Sequence, residues 1–77
     1  MNREKLRYIR ILRNITQEEV ANELGFKSNY INMMEKGHRE IKPKVLEKWI
    51  RYLNSKRALE IRDRRLKKKA EKNTENK

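Results

Sequence analysis

Ser28, Asn29, Asn32, Met33 and Lys36 fall within nine residues at spacings suited to one helix face. At ~100° per residue, Asn29, Met33 and Lys36 share one pole, with Ser28 and Asn32 toward its flanks. These side chains suit base edges in a duplex groove. Asparagine can bond adenine at two points, lysine can reach guanine acceptors, and methionine can pack on a thymine methyl. An ordinary solvated helix face is the competing interpretation. Ile31, Met34 and Glu35 define the opposite, inward side, where an unpaired carboxylate would be costly.

Other chemistries find little support. The 77 residues include no cysteine, so neither disulfides nor a Cys-based zinc site can staple the fold. His38 is the single histidine, with no second metal ligand beside it, and no Gly-rich phosphate loop is present. Asp63 is the single aspartate, and the glutamates do not form convergent pairs. An enzyme is not expected, nor any cofactor, metal or small-molecule ligand.

Twenty-two Lys and Arg against eleven Asp and Glu leave a formal charge of +11. That excess favours a polyanionic partner: nucleic acid, or less often an anionic membrane face. No apolar run approaches the ~20 residues of a membrane span, and no signal-peptide core follows the N-terminus. The expectation is a soluble intracellular protein of the cytoplasm, associated with the nucleoid. The five aromatic residues read mostly as core, which leaves no stacking platform for RNA.

The elements that must position these residues read as helices throughout, with two glycines, one proline and no sustained alternation. Leu6, Ile9, Ile11, Leu12 and Ile15 mark an apolar stripe on a first helix, from about Arg3 to Arg13. Thr16-Gln17-Glu18-Glu19 fits a capping box opening a second helix, which carries Val20, Ala21 and Leu24 and stops at Gly25. A third helix is expected from Ser28 to about Lys36, with Gly37 as its stop. Lys27 is a poor N-cap and Ser28 a good one, so its start can slide by a residue. Pro43 suits the first position of a fourth helix. There Leu46, Trp49, Ile50 and Leu53 keep helical spacing, and Trp49 is expected to contribute most to the core.

Residues 1–54 hold twelve Lys and Arg against seven acids, and residues 55–77 ten against four. Apolar content thins at the same border. A compact domain is therefore expected over 1–54 and a basic extension over 55–77, either helical from Ser55 to about Lys69 or a disordered tail. Arg62, Arg64, Arg65, Lys67, Lys68 and Lys69 would there add nonspecific affinity for a polyanion.

Helices two and three are separated only by Gly25, Phe26 and Lys27, a connection suited to a helix-turn-helix. Ala21 is small where the second rod must cross, Gly25 tolerates positive φ, and Ile31 is the apolar anchor facing back. Val20, Leu24, Phe26 and Met34 fill the remaining inward positions.

With these features in register, the chain resembles the phage repressor and Cro-type helix-turn-helix family, including the xenobiotic-response-element regulators. The resemblance rests on TQEEVANELGF at 16–26, YINMMEKG at 30–37 and Arg39, and covers about Leu6 to Leu53. Lys27 stands where the family has a small hydroxyl residue, and the Gly37–Pro43 connection is longer than its common form. The resemblance implies an all-α, four- to five-helix domain whose third helix, 28–36, lies in the major groove of double-stranded DNA.

Base reading then falls to Ser28, Asn29, Asn32, Met33 and Lys36. Phosphate contacts fall to Gln17, Arg39, Lys42 and Lys44, with Lys27 and Tyr30 as further candidates; Tyr30 could equally pack half-buried. The family also implies an Arg10–Glu35 ion pair that braces the domain. The function implied is a transcriptional regulator acting as a repressor, working as a homodimer on paired half-sites. The end of helix four and Leu59–Leu66 are candidate dimer surfaces. A small basic RNA-binding protein and a protein-interaction or antitoxin module are the alternatives.

Overall fold

The structure, a computed structural model, describes residues 2–75, and no strand occurs among them. Five helices follow one another: α1 (Arg3–Leu12), α2 (Gln17–Leu24), α3 (Ser28–Lys36), α4 (Pro43–Leu53) and α5 (Lys56–Glu75). The fold is all-α.

Local chemistry explains most of the boundaries. The Asn2 side chain accepts from the Lys5 amide at 2.9 Å and starts α1. Thr16 and Glu19 form a reciprocal capping box at 3.0 and 2.9 Å, which satisfies two orphan donors of α2. Gly25 (φ 79°) and Gly37 (φ 85°) end α2 and α3 in the left-handed region that glycine enters without steric cost. Lys27 caps α3 without a side-chain bond, yet α3 still begins at Ser28. The Lys27 carbonyl accepts the amides of Tyr30 and Ile31, so backbone geometry alone suffices there. Pro43 opens α4, and the Ser55 hydroxyl accepts the Ala58 amide to start α5.

The core gathers Leu6, Ile15, Val20, Ala21, Ile31, Met34, Trp49, Tyr52, Leu53 and Ala58, with Trp49 fully enclosed. Each large side chain removed from water contributes roughly 1.5–3 kcal/mol. Two expectations are corrected here. Ile11 (52% exposed) and Leu12 (65%) belong to no core, because α1 packs on α3 and α4 through the Leu6 and Ile9 side. The core also runs past Asn54, since Ala58 is buried and Ile61 packs against it.

Arginines close the turn between α1 and α2. The carbonyls of Arg13, Asn14 and Ile15 accept from Arg62, Arg65 and Arg10 respectively. Asn14 itself sits at φ 55°, a left-handed turn after the helix end. Carbonyls at a helix C-terminus lack intrahelical partners, and guanidinium donors supply them. Arg62 and Arg65, which the charge pattern placed among free polyanion contacts, are therefore committed inside the molecule.

Candidate nucleic-acid interface

Packing between α2 and α3 sets the site. Ala21 (1% exposed) lets the rods approach, and Ile31 and Met34 fill the seam behind α3. With those residues and Glu35 facing inward, Ser28, Asn29 and Lys36 are left exposed and Asn32 and Met33 half-buried. All five lie on α3. The Asn29 amide nitrogen approaches the Met33 sulfur at 3.8 Å, a weak contact that leaves both side chains outward.

A polar chain runs beneath this face. Arg10 donates to both carboxylate oxygens of Glu35, at 2.7 and 3.0 Å, in the planar two-point geometry that guanidinium favours. The Glu35 side chain is 1% exposed and that of Arg10 11%. Gln17 Nε2 donates to Glu35 Oε1 at 3.0 Å and to Asn32 Oδ1 at 3.1 Å. The side-chain donors of Gln17 are thus taken internally, and only the main-chain amides at the start of α2 remain for an outside anion.

Two hollows flank α3. One, of about 580 Å³, is bordered by Arg7, Gln17, Asn32 and Lys36. The other, of about 370 Å³, is bordered by Lys27, Asn29, Tyr30, Met33 and Arg39. Tyr30 stacks on Phe26 with ring centroids 5.1 Å apart and keeps 38% of its surface exposed. Lys42 and Lys44 are exposed at the start of α4, and no hydrogen bond or ion pair among the described residues ties them to α3. Among the described residues no three His, Cys, Asp or Glu side chains converge as a metal site, and no helix is long and apolar enough to cross a membrane.

A family model described as helix-turn-helix matches residues 6–59. The chain belongs to that helix-turn-helix family, of the phage repressor, Cro and xenobiotic-response-element type. No curated protein and no solved structure matches it. As a member of this family the protein is a DNA-binding transcriptional regulator. The matched region ends at Leu59, inside the first turns of α5.

Sequence reasoning passed over Arg7, which borders the α2-side hollow with Gln17 and Lys36. Its signal was present: Arg7 stands three residues before Arg10, on the same side of α1. In sequence Arg64, Lys67 and Lys68 are only part of a charge run, yet they line a groove against the start of α2. That placement depends on the anchoring of α5, which spacing does not reveal.

Proposed function

We propose that the protein is a sequence-specific repressor that lays α3 in the major groove of double-stranded DNA. The observation that carries this reading is the division of α3. Its inward side is spent on Ile31, Met34 and the paired Glu35, while Ser28, Asn29, Asn32, Met33 and Lys36 remain on the outward side. Side chains of these types match base edges. Arg7, Lys27 and Arg39 border the same helix and can hold phosphates, with Tyr30 offering its hydroxyl and Lys42 and Lys44 reaching from α4. Gln17 contributes through its main-chain amide, since its side chain is engaged.

One helix reads too few base pairs for useful specificity, so two copies on paired half-sites complete the assembly. Leu59 and Leu66, at 36% and 37% exposure, offer apolar surface for that contact. Leu53 is unsuited, being 1% exposed within the core. Repression requires only occupancy of an operator overlapping a promoter, on the nucleoid in the cytoplasm.

The test begins with selection of bound sites from a random duplex pool, which reports affinity, specificity and half-site symmetry together. Asn29→Ala is then compared with wild type on the selected site and on random duplex. A loss of about fivefold or more confined to the selected site is expected, as one bidentate base contact is worth ~1–3 kcal/mol. Equal loss on both would remove Asn29 from base reading. Preference for structured RNA over the selected duplex would favour the RNA-binding alternative.

A further inference from the structure

Between the start of α2 and the middle of α5 lies a groove of about 770 Å³, bordered by Thr16, Glu18, Ile61, Arg64, Lys67 and Lys68. Thr16 also borders the hollow that holds Gln17, Asn32 and Lys36. The groove that the α5 cations line and the hollow beside the recognition helix therefore meet at the start of α2, one on each side of its first turn.

Arg64, Lys67 and Lys68 line this groove, as Lys69 does not, and three features suit them to an outside anion. They are exposed, and among the described residues they form no ion pair. Their i, i+3, i+4 spacing keeps them on one helix face. Their helix is fixed in direction, because Arg62 and Arg65 hold the carbonyls of Arg13 and Asn14 and Ala58 is buried in the core. Of the acids that line the groove, Glu19 is engaged by Arg65 and by its own cap, which leaves Glu18. On α5 itself, Asp63 one turn before Lys67 is taken by Arg62, and Glu60 one turn before Arg64 offsets part of the charge.

We propose that Arg64, Lys67 and Lys68 form a second phosphate-binding strip, which takes DNA backbone flanking the half-site on the side where α2 begins. This rests on the DNA-binding reading above and extends the contacted duplex beyond the base pairs under α3. A rise of 1.5 Å per residue puts ~6 Å between the levels of Arg64 and Lys68. One DNA strand presents a phosphate every ~3.4 Å along the axis, so the strip spans about two to three phosphates. An anchored strip differs from a diffuse basic tail in one measurable respect. It makes affinity depend on the presence of flanking duplex at a fixed distance.

The full chain and an R64Q/K67Q/K68Q variant are titrated against the selected operator in two lengths, one with long flanks and one trimmed to the half-sites, over a range of salt. With flanks, the variant is expected to bind about tenfold or more weakly at low salt. Its log–log salt slope should be shallower by about 2, at roughly 0.9 per phosphate. On the trimmed operator the two proteins should coincide. Melting temperature monitors folding, which exposed Lys/Arg→Gln changes leave intact. Equal slopes on the flanked operator, with Asn29→Ala still losing base discrimination, would overturn the strip and leave the DNA-binding reading standing. The same loss on both lengths would overturn it too, by showing a bulk charge effect. If wild type itself ignored duplex DNA, both would fall together.

Discussion

Gln17 and Asn32 are joined by a 3.1 Å hydrogen bond from the Gln17 amide nitrogen to Asn32 Oδ1, and the same nitrogen reaches Glu35 Oε1 at 3.0 Å. One side chain thereby connects the recognition surface to the Arg10–Glu35 pair beneath it. The bond has a chemical consequence for Asn32. With one lone pair of its oxygen committed to Gln17, the amide is biased toward reading through its N–H donors, which suits guanine O6 and N7 or thymine O4. The acceptor–donor pair of adenine needs both ends of an amide, and within α3 Asn29 has its oxygen free of protein donors among the described residues.

Gln17→Ala should therefore alter specificity without touching DNA through its side chain. Asn32 loses the bond that fixes its orientation, and its amide becomes free to turn. Sites selected from a random pool by the variant should show relaxed preference at one position per half-site, the others unchanged. Stability should fall by about 1–2 kcal/mol, because a bond to a buried carboxylate is also lost. A selection profile identical to that of wild type would sever Gln17 from base reading.

The Arg10–Glu35 pair yields a sharper stability test. Arg10→Met leaves a carboxylate buried beside a glutamine alone, and breaking such a pair costs about 3–5 kcal/mol. That is a large share of the 5–15 kcal/mol typical of a small domain. Replacing both partners with apolar residues of similar volume should recover most of the loss, since the desolvation penalty disappears with the charges. Urea unfolding of the single and double variants measures the difference. A single variant within about 1 kcal/mol of wild type would mean that water reaches Glu35.

How much of this was legible depended on the range of each interaction. The capping box of Thr16 and Glu19 and the stops at Gly25 and Gly37 are local, set by residues within one turn, and spacing reveals them. Ile31 and Met34 could be placed inward because the short turn fixes how α3 meets α2. Ile11 and Leu12 could not be placed outward, because an apolar stripe does not tell which of its edges a neighbouring helix covers. Ala58 is too small to stand out in a basic run, and its burial follows from the angle at which α5 leaves α4. Arg62 and Arg65 look like solvated charge in sequence. Their bonds span 49 and 51 residues, and nothing in the spacing announces them.

Tyr52 provides a pH-dependent test. Its ring is 4% exposed and its hydroxyl lacks a hydrogen-bond partner among the described residues. Burial first, and then the charges of Glu19 and Glu23, push its pKa above the ordinary 10.0, with Arg57 pulling the other way. The folded chain thus keeps a proton that the unfolded chain releases, so stability is retained below pH 10 and falls as pH rises beyond it. Tyr52→Phe should lose less stability over that alkaline range than wild type. At neutral pH the substitution should be neutral or mildly stabilising, by up to about 1 kcal/mol, since it removes an unpaired buried hydroxyl. Parallel losses in the two proteins above pH 10 would place Tyr52 in contact with water.

Ending the chain after Asn54 tests whether the start of α5 is appendage or core. The cut removes Ala58 and Ile61 from the core and strips Arg62 and Arg65 from the carbonyls of Arg13 and Asn14. Two lost carbonyl bonds at about 1 kcal/mol each, with the apolar contacts, give a cost of about 2–4 kcal/mol. For a domain of this size that lowers the melting temperature by roughly 10–25 °C. Ala58→Leu should act in the same direction through overpacking, at about 1–3 kcal/mol, while leaving both arginines in place. The two variants separate the contributions: a large loss in the truncation with almost none in Ala58→Leu would assign the anchoring to the arginines. Unchanged melting in both would return the whole of α5 to the status of a tail, and its cations would lose the fixed direction that their placement beside α2 requires.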